Sequence, residues 1–320
     1  MAVLGLELLA EMVARPPRTT YKTADLGAPT FLVDEQVVCR HDFTVMNRQG
    51  HSLVCSHYVP MGCKHYPVVV YAHGNCGSRG DADVHVNLLL PCKISVVSFD
   101  FSGAGLSGGD LCTLGHNESD DLRCVVDHVL TLKGVTSVAL WGRSMGAASC
   151  AMVAATDRRV DALVLDSCFL SVERVALDVA KKYVNSIPFL ESAIMMGKSF
   201  GGIRLDKTDI FAGGEDQVYE DAVGEFREAV LKRCGFDIRE VSPSRSLEGC
   251  TAPVLFAHAD EDQLVFPYHS DLMHASYEGG EKRKFVIEGH HNSERPAAFL
   301  QYARCFLEGH LKPPGVRKVM

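Results

Sequence analysis

The stretch Thr136–Ser149, TSVALWGRSMGAAS, decides how this chain folds. An apolar run, Val138 to Trp141, stops at Gly142-Arg143-Ser144-Met145-Gly146, and small residues from Ala147 to Ala155 follow in a helix-compatible order. Strand, sharp turn and helix in that order put a serine at the apex. A G-x-S-x-G turn needs glycine on both flanks, because the serine backbone is strained and neighbouring chain packs closely around it. The hydroxyl is thereby lifted clear of the sheet, and the first amide of the helix faces whatever reacts there. The pentapeptide alone also arises by chance; the strand before it and the helix after it give it chemical weight.

Upstream, Tyr66 to Tyr71 (YPVVVY) is a run suited to a strand buried on both faces, and it ends in the turn His73-Gly74-Asn75-Cys76-Gly77. A helix is expected from about Asp81 to Leu90, then a second buried strand, Ile94 to Phe99, ending in Asp100-Phe101-Ser102-Gly103. Leu122, Val125, Val126, Val129 and Leu130 make the apolar stripe of a helix over Asn117 to Leu132, and Val160 to Leu165 is a further strand. Strand and helix in steady alternation mean a mostly parallel, doubly wound α/β sheet. Ligands of such sheets sit at the carboxyl ends of the strands, where His73-Gly74, Asp100 and Ser144 all fall.

At the amino end, Val37 to Met46 and Ser52 to Tyr58 are strand-like and flank a polar turn ending in Gly50, an antiparallel hairpin at the sheet edge. Residues 16–30 have the composition of an extended lead-in. The first residues, with Leu6, Leu9 and Val13 on one side, make an amphipathic helix that packs or touches a membrane surface through residues 1–14. Glu7, Glu11 and the lack of a basic start argue against a signal peptide.

Downstream the alternation breaks between Leu170 and Cys250. Helix-like stretches at 172–199 and 220–234 flank Gly201-Gly202 and an acidic passage, Asp206 to Asp221. An insertion this long between core strands is expected to form a helical cap over the strand ends, its acidity a solvated face. The core resumes with a strand, Ala252 to His258, a helix over Tyr268 to Tyr277 and a last strand, Lys284 to Glu288. A closing helix runs from Pro296 to Leu307, with Pro296 in its first turn and Asn292 or Ser293 as cap. The expected division is residues 1–30 as helix and lead-in, 31–169 with 251–311 as core, 170–250 as cap and 312–320 as tail.

A net charge of −8 without any run of lysine or arginine speaks against nucleic acid as a partner. No stretch has the apolar length to span a bilayer. The twelve cysteines are scattered, with no C-x-x-C pair, so a reduced, cytoplasmic protein is expected rather than a disulfide scaffold. No cofactor motif is present. His258, Asp260, His290 and His291 could in principle meet a metal, but they lack the ligand spacing of known zinc types.

A serine hydroxyl is a poor nucleophile until a base takes its proton, and the base needs a third group to fix its tautomer. On this kind of sheet the chain order is serine, then acid, then histidine. The acid is one of Asp260, Glu261 and Asp262, with Asp262 fitting best because it lies a few residues beyond the strand end; Asp166 is an outside candidate more suited to capping a turn. For the base, His290 and His291 compete, and His291 is favoured by the Asn292-Ser293 that follow it. His73 suits holding its turn. The oxyanion formed on attack needs preorganised donors, for which the backbone amides of Met145 and Asn75 are placed.

The segments HGN, DFSGAGLSGG, GRSMG, LDSCF, AHADED and GHHNSERP resemble the α/β-hydrolase superfamily, and within it the serine aminopeptidase-like and prolyl-oligopeptidase-like branch. The resemblance runs from about Arg15 to the final helix and is weakest across 201–235. It implies Ser144 as nucleophile, Asp262 as acid, His291 as base, and Asn75 with Met145 as oxyanion donors. His290 departs from the related pattern, which has aspartate or glycine there. The expected function is a serine hydrolase cleaving an ester, thioester or amide of a small-molecule, peptide or acyl substrate. The alternatives are a thioesterase working at membranes and a non-catalytic binding protein on the same fold.

Overall fold

The computed structural model describes residues 17–186 and 207–312. Nine strands among them form one sheet: β1 (Thr30–Val33), β2 (Gln36–Met46), β3 (Ser52–Pro60), β4 (Tyr66–Ala72), β5 (Ser95–Phe99), β6 (Val135–Arg143), β7 (Val160–Asp166), β8 (Val254–Ala259) and β9 (Lys282–Ile287). Their order is β1-β2-β3-β5-β4-β6-β7-β8-β9. The first three strands and the β3–β5 pair are antiparallel, and every pairing from β5 to β9 is parallel.

The helices are α1 (Asp83–Leu89), α2 (His116–Thr131), α3 (Met145–Ala154), α4 (Val172–Ser186), α5 (Lys207–Cys234), α6 (Pro243–Leu247), α7 (Tyr268–Ser276) and α8 (Ala297–His310). The strands are apolar throughout because both faces are covered. Val68, Val70, Val97, Phe99, Val138 and Leu140 join the core under α2 and α3, while Val69, Tyr71, Val96, Ala139 and Trp141 join the core under α1 and α8. Successive residues go to opposite faces, as the two-residue repeat of a strand requires.

Three elements differ from the sequence-based expectation. The hairpin β2–β3 is not the sheet edge, since the end of the lead-in forms β1 and pairs antiparallel outside it. The passage from 207 to 220 is helical, so that α5 runs 28 residues; its Gly213-Gly214 and its acidic residues mask the helical repeat. At α8, Pro296 is the cap residue itself and makes no side-chain cap bond, while Ser293 turns back to accept from the His290 amide at 2.8 Å. The expected helix over 172–199 is described as far as Ser186; the remainder and Gly201-Gly202 lie outside the described residues. From β4 the chain first winds to β5 on one side and then crosses back to β6 on the other. A switch of this kind opens a crevice at the strand ends. The loops after β4 and β6 flank it.

Candidate active site

Ser144 joins β6 to α3 with φ 53° and ψ −116°, a conformation that side chains rarely adopt. Its neighbours must be glycine for steric reasons. A Cβ on Gly142 would lie 2.3 Å from the Gly146 carbonyl oxygen, and one on Gly146 would lie 2.1 Å from that of Ala72. The Ser144 amide donates to the Asp166 carbonyl at 2.8 Å, tying the turn to the end of β7.

His291, on the loop after β9, brings Nε2 to 3.0 Å from Ser144 Oγ and Nδ1 to 2.6 Å from Asp262 Oδ2. Asp262, on the loop after β8, is buried, and its Oδ1 accepts from the amides of Leu264 and Val265 at 2.9 Å each. Burial alone would raise its pKa, but hydrogen bonding from His258 and His291 holds the carboxyl well below the usual carboxylate range. The ionised carboxylate accepts from Nδ1–H, which leaves Nε2 as the acceptor facing the serine hydroxyl.

A second imidazole backs this arrangement. His258 Nε2 lies 2.8 Å from the Val265 carbonyl and 3.3 Å from Asp262 Oδ2, and Nδ1 lies 2.6 Å from Ser270 Oγ. A carbonyl only accepts, so Nε2 carries the proton and points it toward the acid loop. Nothing in the sequence around His258 beyond a possible metal-ligand role points to this contact. Among the described residues no three or more histidine, cysteine or acidic side chains are arranged so that they could hold a metal ion.

The other candidates go elsewhere. Asp260 Oδ1 accepts from the Gly289 amide at 3.0 Å and so pins the two loops together. Glu261 and His290 face one another at 3.4 Å, both exposed. Asp166 forms a bidentate pair with Arg295 at 2.7 and 2.8 Å. His73 is buried and holds its turn, with Nε2 accepting from the Phe101 amide at 3.1 Å and Nδ1 2.7 Å from the Gly74 carbonyl.

Asn75 and Met145 line one small pocket together with Cys76, Phe101, Cys112 and Thr19. Thr19 belongs to the segment whose composition is that of an extended lead-in. Its hydroxyl donates to the Cys76 carbonyl at 2.5 Å, and Arg18 reaches the carbonyls of Ala104, Ser107 and Gly109. Tyr21 donates to Asp100 at 2.5 Å and accepts from Arg79 Nε at 2.7 Å. Asp100 in turn accepts the amides of Arg79 and Leu106, at 2.7 and 2.8 Å. The segment is thus laced to the loops after β4 and β5. Burial, first, and the acceptor charge of Asp100 raise the Tyr21 pKa, so it stays a donor.

The fold and the Ser144 turn together define an α/β-hydrolase. The family model for the alpha/beta hydrolase fold matches residues 67–294, and the chain belongs to that family. It is 24% identical to an uncharacterised 31.7 kDa protein of Escherichia coli from the traX-finO intergenic region, over 71% of this chain and 83% of that one. It is 32% identical over 118 residues to lysophosphatidylserine lipase ABHD12 of Xenopus tropicalis, a match spanning 35% of this chain and 30% of the lipase. Among solved structures, the Pyrococcus furiosus esterase Pf2001 is similar with a TM-score of 0.65 at 16% identity, covering 94% of this chain and 99% of the esterase; the likeness is one of fold. No helix among the described residues is long and apolar enough to cross a membrane.

Proposed function

We propose that the chain is a serine hydrolase that cleaves an ester, thioester or amide through an acyl-enzyme. The observation that carries this reading is the unbroken hydrogen-bonded series Ser144–His291–Asp262, drawn from the loops after three different strands. Ser144 Oγ attacks the acyl carbon as His291 Nε2 takes its proton. Asp262 holds the imidazole in the required tautomer and stabilises the imidazolium that forms. The amides of Met145 and Asn75 receive the oxyanion, where loss of one donor typically costs about 3 kcal/mol in the barrier. His291 then passes the proton to the leaving group, and water, activated by the same base, releases the acid.

The names of the relatives, a lipase and an esterase, favour an oxygen ester first. The likeness of GRSMG and GHHNSERP to serine aminopeptidase-like and prolyl-oligopeptidase-like proteins keeps amides in the test set. Helices α4 and α5, inserted between β7 and β8, are proposed to form the cap that selects the acyl group. The test is labelling of wild type and Ser144→Ala with a fluorophosphonate, followed by p-nitrophenyl esters of increasing chain length beside aminoacyl-coumarin amides. Wild type is expected to label and turn over at least one ester, and Ser144→Ala to do neither. A wild type that labels no better than Ser144→Ala overturns the reading and leaves a binding protein on the same fold.

A further inference from the structure

His291 sits on the loop after β9, the outermost strand on its side of the sheet, while Ser144 follows β6, three places inward. With strands spaced about 4.8 Å apart, the base must be carried back roughly 14 Å across the ends of β8 and β7 to meet the serine. β9 is the edge strand with only Ile287 buried. The start of its loop is tied to the loop after β8 through the Glu261 amide on the Gly289 carbonyl and the Gly289 amide on Asp260, both ahead of His291. The loop arrives with Nε2 at 3.0 Å from Ser144 Oγ.

From His291 onward the loop is gripped by two guanidinium groups. Arg143, the residue before the serine, donates through one nitrogen to the carbonyls of His291 at 2.8 Å and Ser293 at 3.2 Å. Arg295 donates to the same two carbonyls, at 3.2 and 3.0 Å. Arg295 is itself fixed by Asp166, which it meets in bidentate fashion with both side chains buried, and by Ser167 Oγ at 3.2 Å. The backbone carbonyl of Asp166 also accepts the Ser144 amide. One residue at the end of β7 therefore holds the serine through its main chain and the histidine loop through its side chain and Arg295.

We infer that Arg143 and Arg295, with Asp166, form a clamp of positioning residues that sets the Ser144–His291 distance independently of the hydrogen bonds within the triad itself. The inference rests on the reading of Ser144 and His291 as nucleophile and base. A planar fork with five donors suits the task, because it can meet both oxygens of a carboxylate and two carbonyls at once, one more than the three donors of an ammonium can serve. Each guanidinium alone retains part of the grip, so the two are coupled rather than additive.

The test compares wild type, Arg143→Met, Arg295→Lys and the double variant in the full chain. Arg295→Lys keeps a cation beside Asp166, and Arg143→Met leaves that buried pair untouched, so folding is preserved and checked by far-UV circular dichroism. One readout is the low-field proton resonance of the His291 Nδ1–H···Asp262 bond, assigned by its absence in His291→Asn. The others are the fluorophosphonate labelling rate, kcat and KM on the best p-nitrophenyl ester. A misplaced reacting group costs up to about 100-fold, so each single variant is expected to lose roughly 10-fold in kcat with KM within about twofold. The double variant is expected to lose more than the product of the singles, and its low-field resonance to vanish. A folded double variant with resonance, labelling and kcat all at wild-type levels overturns the clamp, as does a wild type without the resonance. If wild type shows the resonance but neither labels nor turns over, the hydrolase reading falls. The clamp is then decided by the resonance alone: its survival in the double variant refutes it.

Discussion

Three carboxylates stand in a row at Asp260, Glu261 and Asp262, and a single turn after β8 separates their fates. The Asp262 amide bonds the Ala259 carbonyl at 3.3 Å, which rolls the third carboxylate inward under His291 while Asp260 remains outside on the Gly289 amide. Asp262→Asn would present an amide N–H to Nδ1, forcing the proton to Nε2, where it cannot accept from the serine. The expected drop in kcat is on the order of 10³- to 10⁴-fold. Asp260→Asn keeps an acceptor for Gly289 and should stay within about threefold, a difference smaller than one net hydrogen bond. The reverse ranking on a common ester would reassign the acid. A second contrast isolates backbone crowding. Gly146→Ala forces a Cβ against the Ala72 carbonyl and should lower stability by about 3 kcal/mol or more. Gly224→Ala in α5, where an added Cβ would meet no other part of the chain within 4 Å, should raise it by about 0.8 kcal/mol. Urea midpoints of the two variants on either side of wild type are the expected outcome.

At the scale of elements, the segment from Pro17 to Leu26 is a strap over the strand ends rather than a leader to the sheet. Cys76 sits in the left-handed region with φ 64°, and its carbonyl is held by the Thr19 hydroxyl. Thr19→Val removes that donor while keeping the shape of the side chain. It should lower kcat about three- to tenfold, the worth of one hydrogen bond, with KM and the melting temperature nearly unchanged. An unaltered kcat would show that the loop after β4 stands without the strap. The same elements show what was legible beforehand and why. Strands β4 to β7 could be read from Tyr66, Ile94, Val138 and Val160 onward because burial on both faces demands continuous apolar runs. β1 could not, since Thr30-Phe31-Leu32-Val33 is short and only Val33 is buried, with no repeat to read. Residues 207–220 hid their helix behind glycine and charge. The roles of Arg143 and Arg295 were invisible for a different reason: on the His291 loop both donate to main-chain carbonyls, which leave no trace in side-chain identity. Ser144 was visible because its strain is written in the two glycines beside it.

The whole molecule carries buried imidazoles that its proposed chemistry does not use, and they make its stability depend on pH. His85 packs against Tyr71 in a tilted contact, ring centroids 4.1 Å apart, and edge-to-face against Trp141 at 4.5 Å, and burial pushes its pKa down to about 3. His57, 3.2 Å from Ser95 Oγ, is pushed down to about 4, by burial first and then by the neighbouring His41 and His128. Both rings are therefore neutral in the folded state at pH values where the unfolded chain, with an ordinary histidine pKa near 6.5, takes up protons. Between roughly pH 6.5 and 4 the unfolded state binds more protons, so stability is full above that window and falls as the solution is acidified. Asp262, held below its ordinary range, acts in the same direction at lower pH. Each histidine contributes a slope of at most about 1.4 kcal/mol per pH unit, so the pair contributes at most about 3. His85→Phe replaces the ring with an aromatic of similar size that cannot titrate. Urea unfolding at pH 7.5 and at pH 5 is expected to show wild type losing stability across that interval. The variant should lose less, by about half of what this pair contributes. Parallel losses in the two proteins would mean that the acid sensitivity arises elsewhere and that His85 is protonated without unfolding the sheet around it.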